Sequence, residues 1–210
     1  DPGNSARVFN LSICSPLDIR LAAQIVGKIK KQTSNIEVVI KTQISDDIEK
    51  QLKYQEVEFV ISYHSLDRPD FHNYPLFNDE LVLAVSKHHP RINQRITQQQ
   101  LQEERHAIVA LDNADSLSKS YYEGHELLRS VSYQGTDLNS VLNIVSQTYL
   151  VAIVPKWMVE HYSEQLNICS VSLPNGRITR PCYLIWHGST DRDKGHQWMK
   201  SLLSHLGEQE

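Results

Sequence analysis

A chain of 210 residues is long enough for one large domain or two small lobes, and 40% hydrophobic content supplies a buried core in either case. With 25 acidic against 21 basic residues and a formal net charge of -4, its surface is not built mainly to hold nucleic acid. Three cysteines, Cys14, Cys169 and Cys182, form no CxxC pair and leave one unpaired in any disulfide scheme, which fits a reducing cytoplasm.

The opening DPGNSARVF holds no basic region followed by an apolar one, and no apolar run approaches the length of a membrane span. A soluble, unsecreted, cytoplasmic protein with no membrane partner is therefore expected. The chain starts without Met and enters a strand within a few residues, so further sequence is expected upstream.

From Arg7 to Cys14, RVFNLSIC alternates apolar and polar residues closely enough for a strand. Ser15 as cap, Pro16 at the first position and Asp18 three residues past the cap then predict a helix start. Leu17, Leu21, Ile25 and Ile29 follow at helical spacing. IEVVI (36–40) reads as a buried strand, Ser45 with Asp46 and Asp47 as the start of a helix, and EFVIS (58–62) as a third strand. This order predicts an α/β lobe with a mainly parallel sheet.

A second cycle follows. LVLAV (81–85), a helix near Thr97 to Glu104, HAIVAL (106–111), LLRSVSY (127–133), a helix from Asp137 with Thr136 as its cap, and LVAIV (150–154) repeat the pattern. Pro155 opens a further helix, ICSVS (168–172) and CYLIW (182–186) read as strands, and Thr190 with Asp193 marks a capped closing helix.

PLFNDELVLAVSKHHP (75–90) resembles the segment where the effector domains of LysR-type transcriptional regulators pass from their first lobe to their second. EFVIS before it, YQGTDLNSVLNIVSQTYLVAIVPKWM (133–158) and CYLIWH (182–187) carry the resemblance along nearly the whole chain. CSPLD, KYQEVEFVISY, SVLNIVSQT and RDKGHQWM resemble one member of that family more narrowly. The resemblance implies two Rossmann-like lobes joined by two crossing strands, similar to type 2 periplasmic binding proteins. Lobe I would be 1–82 with 185–210, and lobe II 83–184. It also implies an upstream winged helix-turn-helix domain that contacts promoter DNA, and a homodimer that becomes a tetramer in the full-length protein.

In open α/β sheets, ligands collect at the carboxyl ends of strands, near helix N-termini. By resemblance, a small-molecule effector would meet Ser15, Pro16 and Leu17 after the first strand, and Thr42 and Gln43 after the second. Gly135 and Thr136 would meet it from the second lobe, in a cleft between the lobes. Asp112, Ser116 and His64 are further candidates. Ser15 is equally explained as a helix cap, Thr42 and Gln43 as an ordinary polar turn, and Asp112, Ser116 and His64 as parts of solvated loops. None of these positions is Arg or Lys, so an uncharged or zwitterionic effector suits them as well as an anion. The dimer interface is expected to use Leu21, Ile25 and Ile29 against the partner's Leu142 and Val145, although these faces also serve to cover their own sheets.

Ten histidines include no HExxH, and His88–His89 reads as a turn before Pro90. No GxSxG, GxxxxGK or GxGxxG motif supports acyl transfer, phosphoryl transfer or dinucleotide binding, so neither an enzyme nor a cofactor is expected. Cys14 stands where a helix dipole can make a thiol reactive, or where it is simply buried. Lys28, Lys30 and Lys31 complement the end of their helix. Two competing readings are a secreted solute receptor of the same fold, and a two-lobed transferase or lyase.

Overall fold

The computed structural model describes residues 6–109, 117 and 130–208. In chain order its elements are β1 (Arg7–Ile13), α1 (Leu17–Gln32), β2 (Ile36–Lys41), α2 (Ile48–Lys53), β3 (Phe59–Ser62), β4 (Phe71–Ser86) and α3 (Gln98–Glu103). They continue as β5 (Arg105–Val109), β6 (Ser130–Gly135), α4 (Leu138–Gln147), β7 (Ala152–Pro155), α5 (Lys156–Tyr162), β8 (Ile168–Val171), β9 (Ile178–His187) and α6 (Lys194–Leu203). They form two compact units. Unit 1 holds residues 1–77, 114–120 and 181–210, and unit 2 holds 78–113 and 121–180.

In unit 1, β1 lies between β2 and β3 and runs parallel to both, while β9 pairs antiparallel with β3. Phe9, Leu11, Phe59 and Ile61 share one face and are at most 1% exposed. The α1 stripe of Leu17, Leu21, Ile25 and Ile29 is buried to the same degree. Each such side chain contributes about 1.5–3 kcal/mol relative to exposure in water. His196 of α6 stacks on Phe59 with ring centres 4.1 Å apart, so this core accepts an imidazole as a flat apolar body. In unit 2, β4 pairs antiparallel with β7 and β8, β5 runs parallel to β6, and Leu138, Val141, Leu142 and Val145 of α4 are buried.

The parallel arrangement expected of the first three strands holds, β1 running parallel to β2 and β3, whereas β7, β8 and β9 all pair antiparallel and make the sheet mixed. Apolar alternation reports which face a residue occupies and carries no information on strand direction. Four helix starts also differ from expectation. Pro16 occupies the cap of α1, where its ring has no acceptor to offer, and the Ser15 hydroxyl donates to the Asp18 carboxylate. Ser45 accepts the Asp47 N–H at 3.2 Å in a turn that keeps Asp46 and Asp47 ahead of α2. Asp137 rather than Thr136 caps α4, accepting the Ser140 N–H at 2.8 Å. Thr190 donates its hydroxyl to the His187 carbonyl at 2.8 Å, and Asp193 alone caps α6. A carboxylate was the stronger acceptor in both of the last two contests.

The five residues expected at a dimer interface, Leu21, Ile25, Ile29, Leu142 and Val145, are enclosed within their own units at 0–1% exposure. They have no surface to offer a partner. The outer side of α1 instead presents Ala23, Gly27 and Val26, the last 43% exposed.

Candidate functional site

Three loops leave the same edge of unit 1. Because β1 runs parallel to β2 with Ser12 beside Lys41, and parallel to β3 with Ile13 beside Ile61, the chain after each strand emerges at one carboxyl edge. These segments carry Ser15 to Leu17, Thr42 with Gln43, and His64. Ser15 is exposed, whereas Pro16 and Leu17 are buried. His64 is half-buried, and its backbone N–H donates to Ser62 Oγ at 3.1 Å.

Beneath this edge, Asp18 has one carboxylate oxygen buried without a hydrogen-bond partner. Burial raises its carboxyl above the usual range, while the Ile19 N–H and the Ser15 hydroxyl pull it back. Cys14 is 3% exposed, and burial, reinforced by the Asp18 charge, pushes its thiol up to about 12. Of the two readings of Cys14, the buried one holds: desolvation outweighs the helix dipole.

Thr42 and Gln43 also line a hollow of about 860 Å³ within unit 1. Its other polar walls come from Asn10 and Ser12 of β1, Lys41 of β2, Ser45, Asp46, Gln51 of α2 and Glu56, and the rest of its lining is apolar. Ser15, Pro16, Leu17 and His64 are not among its walls. None of the additional polar residues was singled out from the sequence. Their signal was available in strand parity, since Asn10, Ser12 and Lys41 are polar where a parallel pair ordinarily carries apolar residues.

In unit 2, β6 delivers Gly135 and Thr136 to the start of α4. What comes close to Gly135 is its own neighbour: a Cβ there would stand 2.5 Å from Tyr133 Oη. Thr136 is exposed, and its hydroxyl bonds to none of the described residues. Asp112 and Ser116 lie outside the described residues. Among the described residues, no three His, Cys, Asp or Glu side chains gather to hold a metal ion, and no helix is long and apolar enough to cross a membrane.

The LysR substrate binding domain model matches residues 3–207 of this chain. Over 203 residues the chain is 45% identical to the HTH-type transcriptional regulator LeuO of Escherichia coli (strain K12), covering 97% of this chain and 65% of that protein. It thus spans a little under two thirds of this relative's length. Among solved structures it is similar to the probable transcriptional regulator PA0477 from Pseudomonas aeruginosa, with a TM-score of 0.82 at 19% identity over 100% of this chain and 69% of that one. It is also similar to the regulatory domain of MexT, a transcriptional activator in Pseudomonas aeruginosa, with a TM-score of 0.77 at 15% identity over 94% and 98% of the two chains. These two likenesses establish the mixed α/β fold of such regulatory domains, which is similar to periplasmic binding proteins.

Proposed function

Since the chain belongs to the LysR substrate binding domain family, we propose that it is the effector-sensing and dimerisation part of a cytoplasmic DNA-binding transcriptional regulator. The observation that carries this is the 45% identity to a regulator across 97% of the chain. Promoter DNA is met through a winged helix-turn-helix domain outside these 210 residues, and the full-length protein is a tetramer built from homodimers. A small molecule binds in the cleft between the lobes at the carboxyl ends of their strands, touching Ser15, Thr42 and Thr136. It acts by differential affinity for two arrangements of the protein and undergoes no reaction.

A chimera tests the reading. The 203 matching residues replace the corresponding part of LeuO, and transcription from a LeuO-dependent promoter is measured in cells. Regulation is expected to be retained, and a metabolite that raises the melting temperature of the isolated chain is expected to change it. A chimera that accumulates as a folded protein and leaves transcription at the level of a deletion strain would refute the proposal.

A further inference from the structure

The parallel pair β1 and β2 has two unlike faces. Side chains alternate along each strand, and the register sets Asn10 beside Val39 and Ser12 beside Lys41, so these four share one face. Phe9, Leu11, Val38 and Ile40 take the other, where Phe9 and Leu11 belong to the apolar core and Val38 and Ile40 are half-buried. Parallel strands in α/β units are ordinarily apolar on both faces, because helices cover both. Here the first face mixes Asn10, Ser12 and Lys41 with Val8 and Val39, and it is incompletely covered, since Val8 remains 45% exposed.

The uncovered part, under residues 42–46, is the hollow of about 860 Å³. Small-molecule sites fall at about 300–1,000 Å³, so there is room for a compact ligand with bridging waters. Ser12 is only 2% exposed, yet its hydroxyl bonds to none of the described residues. Lys41 likewise makes no ion pair among them. The walls carry charges of both signs, Lys41 against Asp46 and Glu56, together with the amides of Asn10 and Gln51. A lone anion would meet two carboxylates there, and a lone cation would meet the ammonium. A ligand that carries both charges satisfies both walls.

We propose that this hollow binds a free α-amino acid, its carboxylate toward Lys41 and its ammonium toward Asp46 and Glu56. The proposal goes beyond the effector-sensing reading, because the hollow shares Thr42 with the proposed effector site but holds neither Ser15 nor Thr136. It uses Thr42 and Gln43 and requires nothing from unit 2.

Calorimetry on the 210-residue chain with each of the common L-α-amino acids tests it. At least one binds saturably, and Lys41→Gln and Asp46→Asn each weaken it by about tenfold or more, as expected for losing one charge-assisted hydrogen bond. The C-terminal amide and the N-acetyl derivative of the same amino acid lose affinity to a similar extent. Both substituted positions are exposed, and far-UV circular dichroism melts verify that the variants fold. No binding by any amino acid, or binding that both variants retain, overturns the proposal. If the amino acid loses affinity on Thr136→Val and keeps it on Lys41→Gln and Asp46→Asn, it occupies the proposed effector site, and this inference falls while the effector-sensing reading stands. Failure of the chimera above falls on that reading instead.

Discussion

Acidification from pH 7 to about 4 is expected to destabilise unit 1 by about 3 kcal/mol through His196 alone. The ring is 1% exposed, stacks on Phe59, and directs Nε2 at the Glu58 carbonyl, 3.3 Å away. Burial pushes its pKa down to about 4 from 6.5, with the Arg7 and Lys200 charges acting the same way and the Glu58 carbonyl and Asp193 opposing them. A histidine kept neutral by folding gives a stabilisation that is whole above the unfolded pKa and is lost as the pH falls through the folded one. A drop of about 2.5 pH units at about 1.4 kcal/mol each gives the stated magnitude. Urea titrations at several pH values between about 7 and 4 would measure it, with His196→Gln as the non-titrating reference that keeps an N–H for the carbonyl. Burial raises the Glu58 carboxyl, which has the opposite pH sign but is present in both proteins and so largely cancels in the difference. Parallel pH profiles for wild type and variant would refute the reasoning.

Asp193→Ala removes both the α6 cap bond to the His196 N–H and the 2.9 Å ion pair with Arg7, and is expected to cost about 1–2 kcal/mol, read as a lower melting temperature. Since Arg7 holds the Asp193 carboxyl below its ordinary range, the ion-pair part of this stabilisation is present above pH 4 or so and is lost at lower pH. In thiol titration with Ellman's reagent, half-buried Cys169 is expected to react first, with buried Cys14 and Cys182 silent until unfolding; a fast phase that survives Cys169→Ser would contradict this. For an effector found by thermal-shift screening, Thr136→Val and Ser15→Ala should each weaken binding by about 0.5–1.5 kcal/mol in calorimetry, and unchanged affinity in both would move the effector elsewhere. Val26→Asp on the outer side of α1 should shift sedimentation toward monomer, and an undisturbed dimer would exclude that face.

Much of the fold was legible because burial writes periodicity into sequence. The α1 stripe, the α4 stripe and the cores of β1, β3, β4 and β7 fall where apolar spacing put them. Caps were harder to read. Thr136 and Thr190 each have the right chemistry near an Asp that takes the role, Ser15 precedes a Pro that takes it, and only the backbone conformation decides. The expected dimer stripe illustrates a further limit: spacing identifies a buried helix face, but the sheet of the same unit covered it. The polar walls of the hollow were written in strand parity, but parity alone does not reveal that residues 42–46 and Gln51 enclose them. The close approach of the Tyr133 ring to Gly135 left no sequence signal at all.

The nesting of the units bears on how the chain is made. Val60 of β3 pairs with Ile185 of β9, whereas the strands of unit 2 are all synthesised in the interval between them. At about 5–20 residues per second, β3 would wait on the order of 5–20 s at the ribosome with its second edge unpaired. Most of unit 2 is made during that wait, whereas unit 1 stays open until β9 and α6 emerge. Premature termination just before β9 would therefore release an open sheet with the β3 edge unpaired, a product suited to chaperone capture or proteolysis.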